Sequence, residues 1–278
     1  MSHSPPVERI DDPDDPRVAE FRDLRYHPAD MGADPTSFIV EGAVPFGVVV
    51  RAGLRLRSIL LLSSKVASLA PILGLVPDDI PIRVADRRIL AEIVGFDLHR
   101  GVLACAHRPP PTHPDDLLPR CRRVVVTEAL NDHENLGALF RNAAAMGVGG
   151  VLLDDLTADP LYRRSVRVSS GWAAALPHAR IGSLPDGYTV LRDNGFRIVA
   201  LTPAADAIPV DDAADSGMFD GRVALVVGAE GPGLSSAALA EADQRVCVPM
   251  APGVDSINVA TSLAVVGAFA ASRRGWSR

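Results

Sequence analysis

Lysine is almost missing from this chain: Lys65 is the only one. Positive charge therefore rests on arginine, whose planar fork suits phosphate. A genomic bias toward arginine and alanine would leave the same trace, and both explanations stay open here. The net charge is −6, and the acidic excess is shared evenly between residues 1–120 and 121–278. Neither half is the basic body of a protein that binds nucleic acid indiscriminately, although a local arginine patch is compatible with this balance. Cysteine is scarce as well. Cys105, Cys121 and Cys247 lie far apart, with no CxxC pair, no zinc spacing and no disulfide framework, so a reducing, cytoplasmic setting is expected. No uninterrupted apolar run reaches 18 residues, and no membrane span is expected. The polar, acidic start MSHSPPVERIDDPDDP lacks the features of a signal peptide. The histidines form no ligand pair, so no metal site is expected, and no Ser-His-Asp order is defensible. No internal repeat stands out.

What is present is an alternation of short apolar strands and helices over 278 residues, room for one large or two ordinary domains. Residues 1–16, rich in proline and aspartate, predict a flexible N-terminal arm. Residues 17–106 predict a small α/β domain. Its strands are Ser37–Val40, Ser58–Leu62, Ile82–Val84 and Gly101–Ala106, and its helices are Arg17–Arg25, Ala43–Ala52, Lys65–Leu73 and Asp86–Val94. Residues 107–121, with HRPPPTHPDDLLP, read as a Pro-rich linker, because consecutive prolines block both helix and central strand. Residues 122–278 predict a second α/β domain. Strands are expected at Arg123–Thr127, Gly150–Leu153, His178–Ile181, Phe196–Leu201, Val223–Val227 and Arg245–Pro249. Helices are expected at Asn135–Met146, Leu161–Val168, Gly187–Asn194 and Leu234–Ala242, with a small-residue helix running from Asn258 to about Ala271.

Three constellations hold candidate chemistry. In the first, NDHENLGALFRN, Asn135 follows a strand and opens a helix, so it is a candidate N-cap, and Arg141 lies six residues on among apolar neighbours. One reading is a cap plus a surface arginine. The other is an anion site, in which a partly enclosed guanidinium stands beside the free N–H groups of a helix start. The second, GAEGPGL from Gly228, ends a buried strand. It is neither a P-loop nor the dinucleotide fingerprint, and it reads as a structural turn or as a loop that a ligand approaches closely. Glu230 between glycines after a buried strand must be paired or exposed. The third, PMAPGVDSINV, places Ser256 and Asn258 before the last helix, as caps or as site residues, with Met250 as packing. In open α/β sheets ligands sit at the carboxyl ends of strands, where these loops fall.

Together, in order and spacing, NLGALFRNAAAMGV, LVVGAEGPGLS and VPMAPGVDSINVATSLAV resemble the SpoU/TrmH family of RNA ribose 2′-O-methyltransferases, in the SPOUT superfamily. The stretches FIVEGAVPFGVVVRAG and GFDLHRGVLA are similar to the family's N-terminal, ribosomal-protein-like RNA-binding domain. The resemblance implies an α/β fold with a parallel C-terminal sheet and a deep trefoil knot, which base rates of topology would argue against. It implies S-adenosyl-L-methionine as cofactor, held at Gly228, Val248 and Ile257, with Thr202, Met250 and Val259 extending the pocket. Asn135, Arg141, Glu230, Ser256 and Asn258 match active-site positions, Glu230 and Asn135 being expected to hold Arg141. It also implies a homodimer and an RNA substrate, ribosomal RNA first. The alternatives are a tRNA enzyme, an antibiotic-resistance rRNA methyltransferase, a catalytically idle RNA-binding module and a small-molecule nucleotide-binding protein. A guanidinium holds its proton too firmly to serve readily as a base. Arg141 is therefore expected to grip the phosphate, orient the 2′-hydroxyl and stabilise the developing alkoxide.

Overall fold

The computed structural model describes residues 7–24, 35–98 and 100–272. Two compact units emerge. The first takes in the chain up to Pro110 together with Pro160–Ala175, and the second takes in Pro111–Asp159 and the chain from Leu176 on.

In the first unit, strands β1 (Val7–Arg9), β2 (Ser37–Glu41), β3 (Leu56–Leu62), β4 (Ile82–Ala85) and β5 (Val102–His107) form a mixed sheet in the order β1-β4-β3-β5-β2. Helices α1 (Ala43–Arg51), α2 (Val66–Leu73) and α3 (Arg87–Val94) link them. Side chains alternate across a strand, so the inner strands serve two cores. Phe38, Val40, Ile59, Leu61, Val102 and Ala104 face one core, covered by Phe46 and Val49 of α1 and Leu69 and Leu73 of α2. Ile39, Leu60, Leu103 and Cys105 face the other, covered by Ile89, Leu90 and Ile93 of α3.

The end of the stretch expected as a flexible arm and the residues that follow it complete that second cover. Residues 1–6 lie outside the described residues, but within the expected arm β1 pairs in parallel with β4 and Ile10 is 0% exposed, and beyond it Val18, Phe21 and Leu24 are all at most 2% exposed. A 3₁₀ helix, Pro16–Phe21, replaces the expected helix from Arg17, and Arg25 lies outside the described residues. Asp15 caps it by accepting from the Arg17 N–H, and the Arg17 guanidinium first, then this N–H, hold its carboxyl down to about 2. Each such apolar burial is worth about 1.5–3 kcal/mol, enough to order a segment whose composition is otherwise that of a loop.

The second unit opens with α4 (Pro114–Leu117), then β6 (Arg123–Glu128), α5 (His133–Ala145) and β7 (Gly150–Leu153). Next come α6 (Arg163–Val168) and α7 (Trp172–Ala175), which belong to the first unit. This corrects the expectation that residues 122–278 form one domain throughout. Val166 and Ala174 enter the core under β2. Glu41, 4% exposed, takes Arg163 at 3.1 Å and Arg167 at 3.5 Å, and Arg163 also donates to the Leu24 carbonyl at 3.0 Å. A buried carboxylate demands such partners.

The chain continues in the second unit with β8 (His178–Arg180), α8 (Tyr188–Asp193), β9 (Arg197–Leu201), β10 (Ile208–Pro209), α9 (Val210–Asp215), β11 (Val223–Gly228), α10 (Ser236–Glu241), β12 (Gln244–Cys247) and α11 (Val259–Ser272). Its sheet runs β10-β12-β9-β11-β6-β7-β8, with every described pairing parallel. Helices α5 and α11 pack on each other, and α8 and α10 bury Tyr188, Leu191 and Ala238 in the core of Val124, Val126, Ile198 and Val226. The expected linker at 107–121 also divides. Leu117, Leu118 and Cys121 are buried in this same core. Arg222 locks the segment in place, donating to the carbonyls of Leu118, Pro119 and Cys121 and lying 5.0 Å over the Phe196 ring. Proline at the first helical position is compatible with the short α4, because the missing N–H is one the helix does not use.

Candidate active site

Strands β12, β9 and β11 are consecutive in the sheet, and their C-terminal ends open into a cavity of about 440 Å³. The loop leaving β11 folds sharply on itself. Ala229 and Gly233 form an antiparallel bridge, with the Gly233 N–H donating to the Ala229 carbonyl at 3.1 Å. A Cβ on Gly228 would stand 2.2 Å from the Gly233 carbonyl carbon, so only glycine fits there. Gly231 and Gly233 hold φ of +85° and +71°, a region that other residues rarely adopt. The glycine spacing is thus a requirement of the loop itself.

The cavity wall is mostly backbone and aliphatic side chains. All six expected cofactor positions line it: Thr202 just after β9, Gly228 at the end of β11, Val248 and Met250 after β12, and Ile257 and Val259 at the entry to α11. Glu230, Ser256 and Asn258 line it too, and all three are exposed.

Asn258 joins distant parts of the site. Its Oδ1 accepts the N–H groups of Ala260 at 3.0 Å and Thr261 at 3.2 Å, so it caps α11. That fixes the amide orientation and leaves Nδ2 to donate to Asn135 Oδ1 at 2.6 Å and Glu230 Oε1 at 3.0 Å. The capping reading and the site reading of Asn258 therefore hold in one side chain. Ser256 makes no hydrogen bond within the described residues.

Two expectations fail here. Asn135 is not the N-cap of α5. Asp132 is, accepting the Asn135 N–H at 2.8 Å, and this frees the Asn135 side chain, 8% exposed, for Asn258. Arg141 is not enclosed, and neither Glu230 nor Asn135 holds it. It is exposed, and no described residue bonds its guanidinium. Helical geometry accounts for both facts. Six residues on from Asn135 is about 240° round the helix, whereas Asn142, seven on, returns to the same face. Asn142 donates to the Ala260 carbonyl of α11 at 2.7 Å, and Arg141 points elsewhere.

A family model described as the SpoU rRNA Methylase family matches residues 122–268. The chain belongs to that family. A protein of Mycobacterium tuberculosis named an uncharacterized tRNA/rRNA methyltransferase is 41% identical over 271 residues, 93% of this chain and 90% of its own. A counterpart named in the same words in Mycobacterium ulcerans is 34% identical over 70% of this chain and 63% of its own. Among solved structures, an AdoMet-bound rRNA methyltransferase from Sinorhizobium meliloti superposes with a TM-score of 0.79 at 22% identity, over 97% of this chain and 99% of that one. The SpoU methyltransferase AviRb from Streptomyces viridochromogenes gives 0.74 at 23% identity, over 93% and 97%. At such identity these two speak for the fold, which is the α/β architecture with a parallel C-terminal sheet that the motifs imply.

Sequence reasoning missed one structural pair beside the SpoU motifs. Glu128, the last residue of β6 and 9% exposed, accepts both the Ser235 N–H and the Ser235 hydroxyl, each at 2.7 Å. Ser235 in turn caps α10 through the Ala238 N–H at 3.1 Å. The exit of the glycine loop is anchored in this way. The signal was available: a carboxylate ending a buried strand invites the same question as Glu230.

Proposed function

We propose that this chain is an S-adenosyl-L-methionine-dependent RNA methyltransferase that transfers a methyl group to a ribose 2′-hydroxyl, with ribosomal RNA as substrate. The observation that carries the reading is convergence. The glycine loop and the loop before α11 line one cavity, and Asn258 on its wall bonds both to Glu230 of the glycine loop and to Asn135 of α5, so three segments far apart in sequence are tied together beside it. The cavity suits the cofactor. Its apolar wall of Val227, Val246, Val248 and Val266 accepts an adenosyl group, and Gly228, which only a glycine can occupy, lets the loop fold back so that its backbone forms the rest of the wall. When bound, the cofactor supplies a methyl group on a positively charged sulfur, a good leaving group.

The chain's own task is alignment and charge. Asn258 holds Glu230 at the cavity wall and is itself tied to Asn135 of α5, so polar groups meet the substrate already placed. Ser256 lies on the same rim and offers a hydroxyl to the ribose-phosphate. Arg141 grips a phosphate, orients the 2′-hydroxyl and stabilises the developing alkoxide, while the proton leaves to phosphate or water. Its exposure and freedom from partners support a homodimer in which Arg141 of the partner subunit reaches this site. The trefoil knot that the family motifs imply belongs to the same reading. So does a cytoplasmic setting; among the described residues no helix is long and apolar enough to cross a membrane.

The test combines cofactor titration by calorimetry with methyl transfer from labelled cofactor to rRNA and tRNA pools of cells lacking the protein. Nucleoside analysis of the product follows. Binding of the cofactor, its loss in Gly228→Ala, and a 2′-O-methylnucleoside in rRNA are expected. A methylated base overturns the ribose assignment, product in tRNA alone overturns the rRNA assignment, and no cofactor binding overturns the whole reading.

A further inference from the structure

Asn142 closes the NDHENLGALFRN motif, yet it does not line the cavity. It lies seven residues after Asn135, so the two share a face of α5. Both bond to the start of α11. Asn135 Oδ1 accepts from Asn258 Nδ2 at 2.6 Å, and Asn142 Nδ2 donates to the Ala260 carbonyl at 2.7 Å. Ala260 is 1% exposed, and its N–H is the one that Asn258 Oδ1 accepts at 3.0 Å. One residue in the first turn of α11 is thus held at its N–H through Asn258 and at its carbonyl by Asn142. The helix ladder uses one lone pair of that carbonyl, and Asn142 takes the other, so the grip leaves the helix intact. Two turns further along α11 the helices approach closely again. A Cβ on Gly267 would stand 3.0 Å from Met146 Cγ, at the end of α5.

Another face of α11 is a wall of the cavity. Val259, Ser262 and Val266, spaced by three and four residues, share that face and line it. One helix therefore carries both the seam with α5 and part of the cofactor wall. Its register against α5 sets where those three side chains stand. The rest of the seam does little to fix that register. α11 reads VATSLAVVGAFAAS, and apolar contact between such side chains is non-directional. A single asparagine in an apolar helix seam specifies register, at a cost in stability.

We propose that Asn142 is a positioning residue for the cofactor. By holding the Ala260 carbonyl it fixes α11 on α5, and so fixes the wall that Val259, Ser262 and Val266 offer to S-adenosyl-L-methionine. This inference rests on the methyltransferase reading above and deepens it: a residue outside the cavity has a share in cofactor affinity. Leucine, of similar volume, suits both the apolar seam and the helix better than asparagine does. The chain gives up that stability for register.

The test is calorimetric titration of the full chain with S-adenosyl-L-methionine, beside thermal unfolding. Asn142→Leu is expected to keep or raise the melting temperature and to weaken cofactor binding about tenfold, the loss typical of removing a group that orients a site's direct contacts. A side chain that only held the fold would give the opposite pair of results. Asn142→Asp keeps the shape but sets an acceptor against the Ala260 carbonyl. It is expected to weaken binding at least as much, with a lower melting temperature. Wild-type affinity in Asn142→Leu overturns the positioning role, and so does a collapse of its fold. A loss of stability in Asn142→Asp with affinity unchanged overturns it as well. Each of these results leaves the methyltransferase reading standing, whereas no cofactor binding by the wild-type chain overturns both.

Discussion

Two polar networks, one in each unit, use similar atoms to opposite ends. In the first unit Glu41 is nearly sealed from solvent, and each of its oxygens faces an arginine, Arg163 or Arg167. In the second unit Asn258 ties Asn135 to Glu230, yet Glu230 and Asn258 are open to solvent and line a cavity. The first is closed and saturated, as a structural contact must be where water cannot substitute. The second is rigid but unfinished, with polar atoms held in place and left facing outward. Arg141 goes further still: it is exposed, with no partner among the described residues. Fixed but unsatisfied polarity marks the groups expected to meet RNA, and satisfied polarity marks those that hold the fold.

The sharpest way to break this contrast is Arg141→Ala. Nothing described in the chain depends on that side chain, so melting temperature is expected to stay within about 1–2 °C, as for surface substitutions generally. Turnover is expected to fall about 10²–10³-fold, the usual loss on removing a group that stabilises developing charge. Differential scanning fluorimetry beside methyl-transfer assays reads both, and near wild-type turnover removes Arg141 from the chemistry. Glu41→Ala is expected to do the reverse. It leaves two arginines against a buried, unpaired surface and is expected to lower stability by about 3 kcal/mol, measured by denaturant unfolding. Cofactor affinity of the folded protein is expected to hold, because Glu41 lies outside the unit that contains the cavity. A loss of cofactor binding in folded Glu41→Ala would refute the division of roles.

Much of the second unit was legible because its strands are short, apolar and β-branched, bounded by glycine and proline. Gly150–Leu153 agrees to the residue, and Val223–Gly228 to within one. The cavity positions were legible through their motifs, since backbone-lined loops leave glycines at fixed spacing. What stayed hidden depends on partners distant in sequence. Nothing local says that Ile10, Val18 and Phe21, scattered among prolines and aspartates, cover a sheet face, or that the helix from Arg163 turns back to Glu41, 122 positions earlier. Asp132 and Asn135 are both good caps by type. The structure chooses Asp132 because the long-range bond to Asn258 claims Asn135.

The smallest expected effect is also the most discriminating, because Asn258 belongs to both classes. Its Oδ1 caps α11 and its Nδ2 bridges the site. Asn258→Ala loses both functions, and the lost cap alone is worth about 1 kcal/mol. Asn258→Asp separates them. Aspartate caps a helix as well as asparagine does, so stability is expected to stay near wild type, less the few tenths of a kcal/mol that an exposed carboxylate beside Glu230 takes away. The bridging donor is gone, so Asn135 and Glu230 lose their common tether, and turnover is expected to fall about tenfold with cofactor affinity little changed. Paired unfolding and kinetic measurements on the two variants decide the matter. If Asn258→Asp is as active as wild type, the bridge is incidental, and Asn258 joins Glu41 among the groups that only hold the fold.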